Sequence, residues 1–212
     1  MTKSRKPLEH RQYKFEIRAE ESETGSIITG RPIVYEKKTD LGYFDEVIHR
    51  GALDKADLTD VRFLVNHDIS KIPLARSRKN TENSTMQFTV DKDGMNIRVT
   101  LDTENNTEAR NLYSAVKRGD ISGMSFMFGI DAEEWENLDS EHPTRHINKI
   151  STVVEVSAVT FPAYEATEID ARDKGALDNV RQAVETARQS RRSVETDELE
   201  LEKLKAHYLY GM

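Results

Sequence analysis

The chain has 212 residues, room for one domain of ordinary size with some length left over. At 36 % hydrophobic and 33 % charged residues it is polar yet within the folded range, and its net charge of -7 argues against general affinity for nucleic acid or anionic lipid. The absence of cysteine excludes disulfides, a thiolate nucleophile and Cys-based metal centres; no apolar run approaches the about 20 residues of a membrane span.

The basic start, Met1 to Lys6, is not followed by an apolar run and does not read as a secretory signal, so a cytosolic compartment is the default. Tyr13 to Arg18 alternates apolar and polar side chains, the period of a half-buried strand. Ser26 to Gly30 and Ile33 to Tyr35 read as two further strands broken by Gly30 and Pro32. A short helix is expected near Ala52 to Leu58, followed by the apolar strand Val61 to Val65. Met86, Phe88 and Val90 share one face, as do Met95, Ile97, Val99 and Leu101, and the intervening Asp91-Lys92-Asp93-Gly94 makes this segment a hairpin. Thr107 to Lys117 places Ala109, Leu112, Tyr113 and Val116 on one side of a helix that Gly119 stops. Thr152 to Thr160 is the last strong strand, closed by Phe161-Pro162.

Short antiparallel strands with few helices predict a mainly β fold with flanking helices (α+β), in the form of a compact barrel-like sheet. The composition changes after Glu168. Ala176 to Tyr210 contains no Gly or Pro, and Leu177, Val180, Val184 and Ala187 fall at helical spacing among mixed charges. One or two amphipathic helices around an Arg188-to-Ser193 joint are expected there, with an apolar stripe thin enough to call for a partner. The expected organisation is a flexible N-terminus over 1–12, a β domain over 13–168 and a charged helical tail over 169–212.

Two polar residues interrupt apolar strands. His67 ends Val61 to Val65, a rigid mount for an imidazole that must be held, shielded and in one tautomer to act as a general base. Among the six histidines the others read differently. His10 and His207 fall in polar terminal segments and read as solvated. His49 sits at a strand-to-helix junction and reads as packing or capping. His142 and His146 have a metal-like spacing, but Pro143 lies between them and no carboxylate cluster completes a ligand set. For His67 itself, a satisfied structural histidine is the plainer reading of the residue alone.

Ser122 and Ser125 are the candidate nucleophiles. Three apart on a strand, they point to opposite faces. Ser125, inside Met124 to Phe128, costs packing unless its hydroxyl has a partner, and Gly123 leaves the backbone open to close approach. A serine becomes nucleophilic when a base takes its proton, and that base needs a third group to orient it. Asp68 neighbours His67 on the opposite face, and Asp120 lies in a turn. Glu155, in the apolar strand Thr152 to Thr160, must meet a partner there. A histidine proton would serve, and so would Arg62, Arg98 or Arg145.

Five segments together resemble the prohead maturation proteases of tailed bacteriophages. They are Phe44 to Leu53, Val65 to Asp68, Pro73 to Arg76, Ile121 to Phe126 and Glu155 to Tyr164, in the same order and at similar spacing over roughly residues 13–168. The resemblance implies a serine endopeptidase with the fold of the herpesvirus assembly protease, a small antiparallel β-barrel ringed by helices. It implies Ser125 as nucleophile, His67 as general base and Glu155 as the acidic residue that orients His67. No cofactor or metal is called for. The implied substrates are the scaffolding segment of the major capsid protein and the protease itself, inside an assembling procapsid in the host cytoplasm, with self-association as a further expectation. The tail over 169–212 is then expected to contact scaffold and to be trimmed by self-cleavage. A catalytically silent assembly factor is the alternative from another class.

Overall fold

The structure, a computed structural model, describes residues 8–13, 17–22, 25–160 and 174–210. In chain order the strands are β1 (Glu9–Tyr13), β2 (Ile17–Ser22), β3 (Gly25–Val34), β4 (Thr39–Asp40), β5 (Asp45–Ile48), β6 (Asp60–Val65), β7 (Ala75–Arg78), β8 (Met86–Asp91) and β9 (Gly94–Leu101). Helix α1 (Thr107–Arg118), strands β10 (Gly123–Glu136) and β11 (Thr144–Val159), and helix α2 (Lys174–Tyr210) complete the order.

The strands form two sheets. A seven-stranded sheet runs β1-β10-β11-β5-β4, with β6 and β7 attached through β11, and a four-stranded sheet runs β2-β3-β9-β8. Ile28 and Ile33 of β3, Met95 and Val99 of β9, Phe63 of β6, Phe126 and Phe128 of β10 and Val156 of β11 meet in one core between them. Each such side chain contributes roughly 1.5–3 kcal/mol by leaving water. The mainly β expectation holds, but the expected closed barrel does not. Closure would require edge strands to pair with each other, and β1, β4, β2 and β8 each remain at an edge.

Helix α1 forms where the sequence places it. Asn106 caps its start by accepting from the Glu108 and Ala109 amides, and Gly119, at φ 82°, ends it. Its buried face is Ala109, Leu112, Tyr113 and Val116, turned to the small sheet. The β8–β9 hairpin also follows the sequence, its turn held by Asp91 Oδ1, which accepts from the amides of Asp93 (2.8 Å) and Gly94 (3.1 Å).

Elsewhere the local reading is corrected. Ser26–Gly30 and Ile33–Tyr35 are not two strands, because β3 runs through both and absorbs Pro32 in a register shift between Gly30 and Ile33. No helix forms at Ala52–Leu58. That segment is a succession of turns, with Ala52, Asp54 and Ala56 amides each bonded to the carbonyl three residues back, and Gly51 at φ 85°. Asp57 then bridges to Thr152 and ends the run. Tyr13 and Ile17 belong to strands of different sheets. Residues 9–12, read as part of the terminus, pair with β10. The block Phe161 to Glu168 and the side chain of His207 lie outside the described residues.

The tail forms one helix rather than two, and the Arg188-to-Ser193 segment is continuous within it. Val184 is buried against Leu41 and Phe44, and Arg188 donates to the carbonyls of Leu138 (3.0 Å) and Ser140 (2.7 Å). Farther along, Val194, Leu199 and Leu201 are exposed. No helix among the described residues is long and apolar enough to cross a membrane.

Candidate active site

Strand β11 carries the site. Its C-terminal half pairs antiparallel with β10 and parallel with β6, so Ser125, Ser157 and Leu64 lie side by side across three strands. Because alternate residues share a face, Glu155 and Ser157 project together, and Met127 and Ser125 stand opposite them on β10. Beyond Val65 the chain folds back over this face. Asn66 and His67 adopt left-handed conformations, φ 51° and 59°, a pairing that non-glycine residues hold only when neighbours fix them.

Two side chains do so. Asn66 accepts from the Thr160 amide (2.9 Å) and donates to the Thr160 hydroxyl (3.0 Å). The His67 amide donates to Ser157 Oγ at 3.1 Å. The fold thereby lays the imidazole on Glu155, with Nδ1 2.5 Å from Oε1. Ser157 donates to the other carboxylate oxygen at 2.5 Å. Glu155 is 1 % exposed, and both of its oxygens are engaged. With Nδ1–H donating to the carboxylate, the neutral ring keeps its lone pair on Nε2. That Nε2 is buried without a hydrogen-bond partner, the condition of an atom waiting for a donor.

Ser125 is fully buried, 0 % exposed. Its hydroxyl donates to the Arg11 carbonyl of β1 at 2.7 Å and makes no hydrogen bond to His67. Strand β1 reaches His67 as well: the His10 ring stands edge-on to the His67 ring, centroids 4.6 Å apart at 85°. His10 is therefore not the solvated terminal residue that its polar surroundings suggest.

The rejected candidates are occupied elsewhere. Ser122 is exposed and lies before β10. Asp68 accepts from Ser70, and Asp120 pairs with Arg118 at 2.5 Å. Arg62 pairs with Asp60 and Arg145 with Glu9, while the carboxylate of Glu155 is held by His67 and Ser157. His49 Nε2 lies 2.9 Å from His146 Nδ1, and its own Nδ1 lies 3.1 Å from Glu36. His142 faces Asp45 at 3.2 Å, so the two histidines at i, i+4 serve separate partners. Donor atoms close enough to share a cation occur in two groups among the described residues, His10–His67–Glu155 and Asp40–Asp45–His142.

Sequence reasoning passed over Ser157 and Asn66. A signal existed for each: Ser157 falls two residues from Glu155 on the same face, and Asn66 tolerates the left-handed turn that presents His67.

On the opposite face of β1 lies a second buried polar cluster. Arg11 donates to both oxygens of Glu46, at 2.5 and 2.6 Å, and Arg145 bonds Glu9 at 2.7 and 2.9 Å and also Glu133. Both guanidinium groups lie over aromatic rings, Arg11 on Phe128 and Arg145 on Phe44 and Trp135. Burial alone would raise the Glu9 pKa, but the charges and hydrogen bonds of Arg11 and Arg145 outweigh it and lower it to about 2.

The sequence profile of the caudovirus prohead serine proteases matches residues 13–182, and the chain belongs to that family. Among solved structures, the bacteriophage T4 capsid assembly protease, gp21, is similar at 15 % identity with a TM-score of 0.42, covering 74 % of this chain and 97 % of that one. No curated protein matches the sequence significantly.

Proposed function

We propose that the protein is a serine endopeptidase of procapsid maturation in which His67 is the general base, Ser125 the nucleophile and Glu155 the group that orients and charge-balances the imidazole. The observation that carries this reading is the His67 Nδ1–Glu155 Oε1 contact of 2.5 Å together with a buried, unpartnered Nε2 on the same ring. Ser125 turns from the Arg11 carbonyl to Nε2, gives up its proton and attacks a peptide carbonyl. The tetrahedral species collapses as the imidazolium protonates the leaving amine, and water then hydrolyses the acyl-enzyme by the same base. The substrates are the scaffolding segment of the major capsid protein and the chain itself, within the procapsid. Helix α2, exposed over residues 189–203, contacts scaffold and is released by self-cleavage.

A second reading, a catalytically silent assembly factor, draws on the Ser125 hydroxyl being engaged by Arg11 rather than by His67. Co-expression with the capsid protein, followed by mass over time, separates the two. Fragments that vanish with Ser125→Ala and His67→Ala but persist with Ser122→Ala are expected. Cleavage surviving Ser125→Ala would remove the nucleophile assignment.

A further inference from the structure

Strand β1 sits where a substrate would need to be. Ser125 is fully buried, and β1 is paired along β10 beside it, with Gln12 opposite Ser125 and His10 opposite Met127. The same five residues cover the two reacting groups at once, the hydroxyl through the Arg11 carbonyl and the imidazole through the His10 ring. Removing β1 would leave on β10 a row of free backbone donors and acceptors beside the nucleophile, the surface that an extended peptide completes by strand addition.

We propose that β1 is an internal plug: it occupies the substrate strand's place on β10, and an extended peptide substrate binds by taking that place. β1 is suited to this because it pairs with β10 alone and ends the sheet, so it can leave without breaking another strand pair. Besides its backbone pairing with β10, it is tethered on the face away from Ser125 and His67 by buried ion pairs, Arg11 on Glu46 and Glu9 on Arg145. The plug rests on the protease reading above, and it adds that the closed enzyme is latent until β1 is displaced.

The test uses the full chain and an organic fluorophosphonate that esterifies an activated serine, with labelling at Ser125 followed by mass. Two variants move the strand in opposite senses. Glu9→Ala removes a tether without touching the reacting groups, and it is expected to label about tenfold faster than the parent, with faster amide exchange over residues 9–13. His10→Cys with Met127→Cys joins β1 to β10 in a chain that has no other cysteine, since facing residues on neighbouring strands lie within disulfide reach. Its oxidised form should not label, and reduction should restore labelling in the same sample. Should Glu9→Ala fail to fold, this oxidised–reduced comparison decides by itself. Equal labelling of the oxidised and reduced forms would overturn the plug and leave the protease standing. If exchange shows β1 open and Ser125 is still never labelled, the nucleophile assignment falls, and the plug with it.

Discussion

Glu46 and Glu155 make an instructive pair. Each is 1 % exposed, each sits on a strand of the large sheet, and each has a partner from a distant part of the chain, Arg11 for Glu46 and His67 for Glu155. Glu46 meets the guanidinium groups of Arg11 and Arg145, whose charge is permanent. Glu155 meets an imidazole and a hydroxyl. A carboxylate locked between arginines can only hold things together, whereas one bonded to a histidine can stabilise a proton arriving on that ring. The identity of the partner, at equal burial, separates a structural ion pair from a candidate catalytic one.

Substitutions should pull these two regions apart. The largest effect is expected at the site: Glu155→Gln should lower the cleavage rate by roughly 10²–10⁴-fold, as loss of the orienting carboxylate does in the triad template, with the melting temperature moving little. Unfolding of that variant would reassign Glu155 to the structural class. Glu46→Ala should do the opposite, taking from the buried Arg11 its bidentate carboxylate and leaving it with Glu9, at a cost of roughly 3 kcal/mol, visible as a melting temperature lower by about 10 °C. Ser157→Ala comes next. It removes the donor to Glu155 and the acceptor for the His67 amide, and roughly a tenfold fall in kcat is expected for loosening this geometry, measured by single-turnover cleavage.

Acidification probes the structural cluster through Glu9. The folded pKa of Glu9 is lowered to about 2, so its contribution is complete above the unfolded value near 4.5 and is lost as pH falls from there towards 2. The protection of amides 9–13, measured against their intrinsic exchange rate at each pH, should fall through that window in the parent chain and stay flatter in Glu9→Gln. The smallest effect is expected from Arg188→Ala, which removes partly exposed bonds to two carbonyls and should cost no more than about 1 kcal/mol, read as a small shift in thermal unfolding.

What the sequence disclosed depended on the range of the interaction. The β8–β9 hairpin and α1 were legible because their turn, cap and apolar spacing are local. Pro32 in β3 was misread because a register shift can absorb a proline, and the shift is defined only by β9 across the pair. Turn residues near Ala52 carried a helix-like pattern, but Gly51 and the bridge from Asp57 to Thr152 divide it. For Glu155, composition demanded a partner without naming it, leaving arginines and a histidine open. Only the parallel pairing of β11 with β6 brings the Asn66-His67 turn over the carboxylate. His10 was illegible for the same reason, since its strand finds its place on β10, more than a hundred residues away.

That separation also has a consequence in time. The Ser125–Arg11 bond spans 114 residues of chain, and β10, the only strand that β1 pairs with among the described residues, is synthesised long after β1 itself. The β10–β11 pair is joined by a short connection and can form quickly once made, while closing the long loop to β1 carries a larger entropy cost. Strand β1, made before β10, is therefore expected to dock late. Each newly made molecule is then expected to pass through an interval in which β10 and β11 are paired and Ser125 is not yet bonded to Arg11.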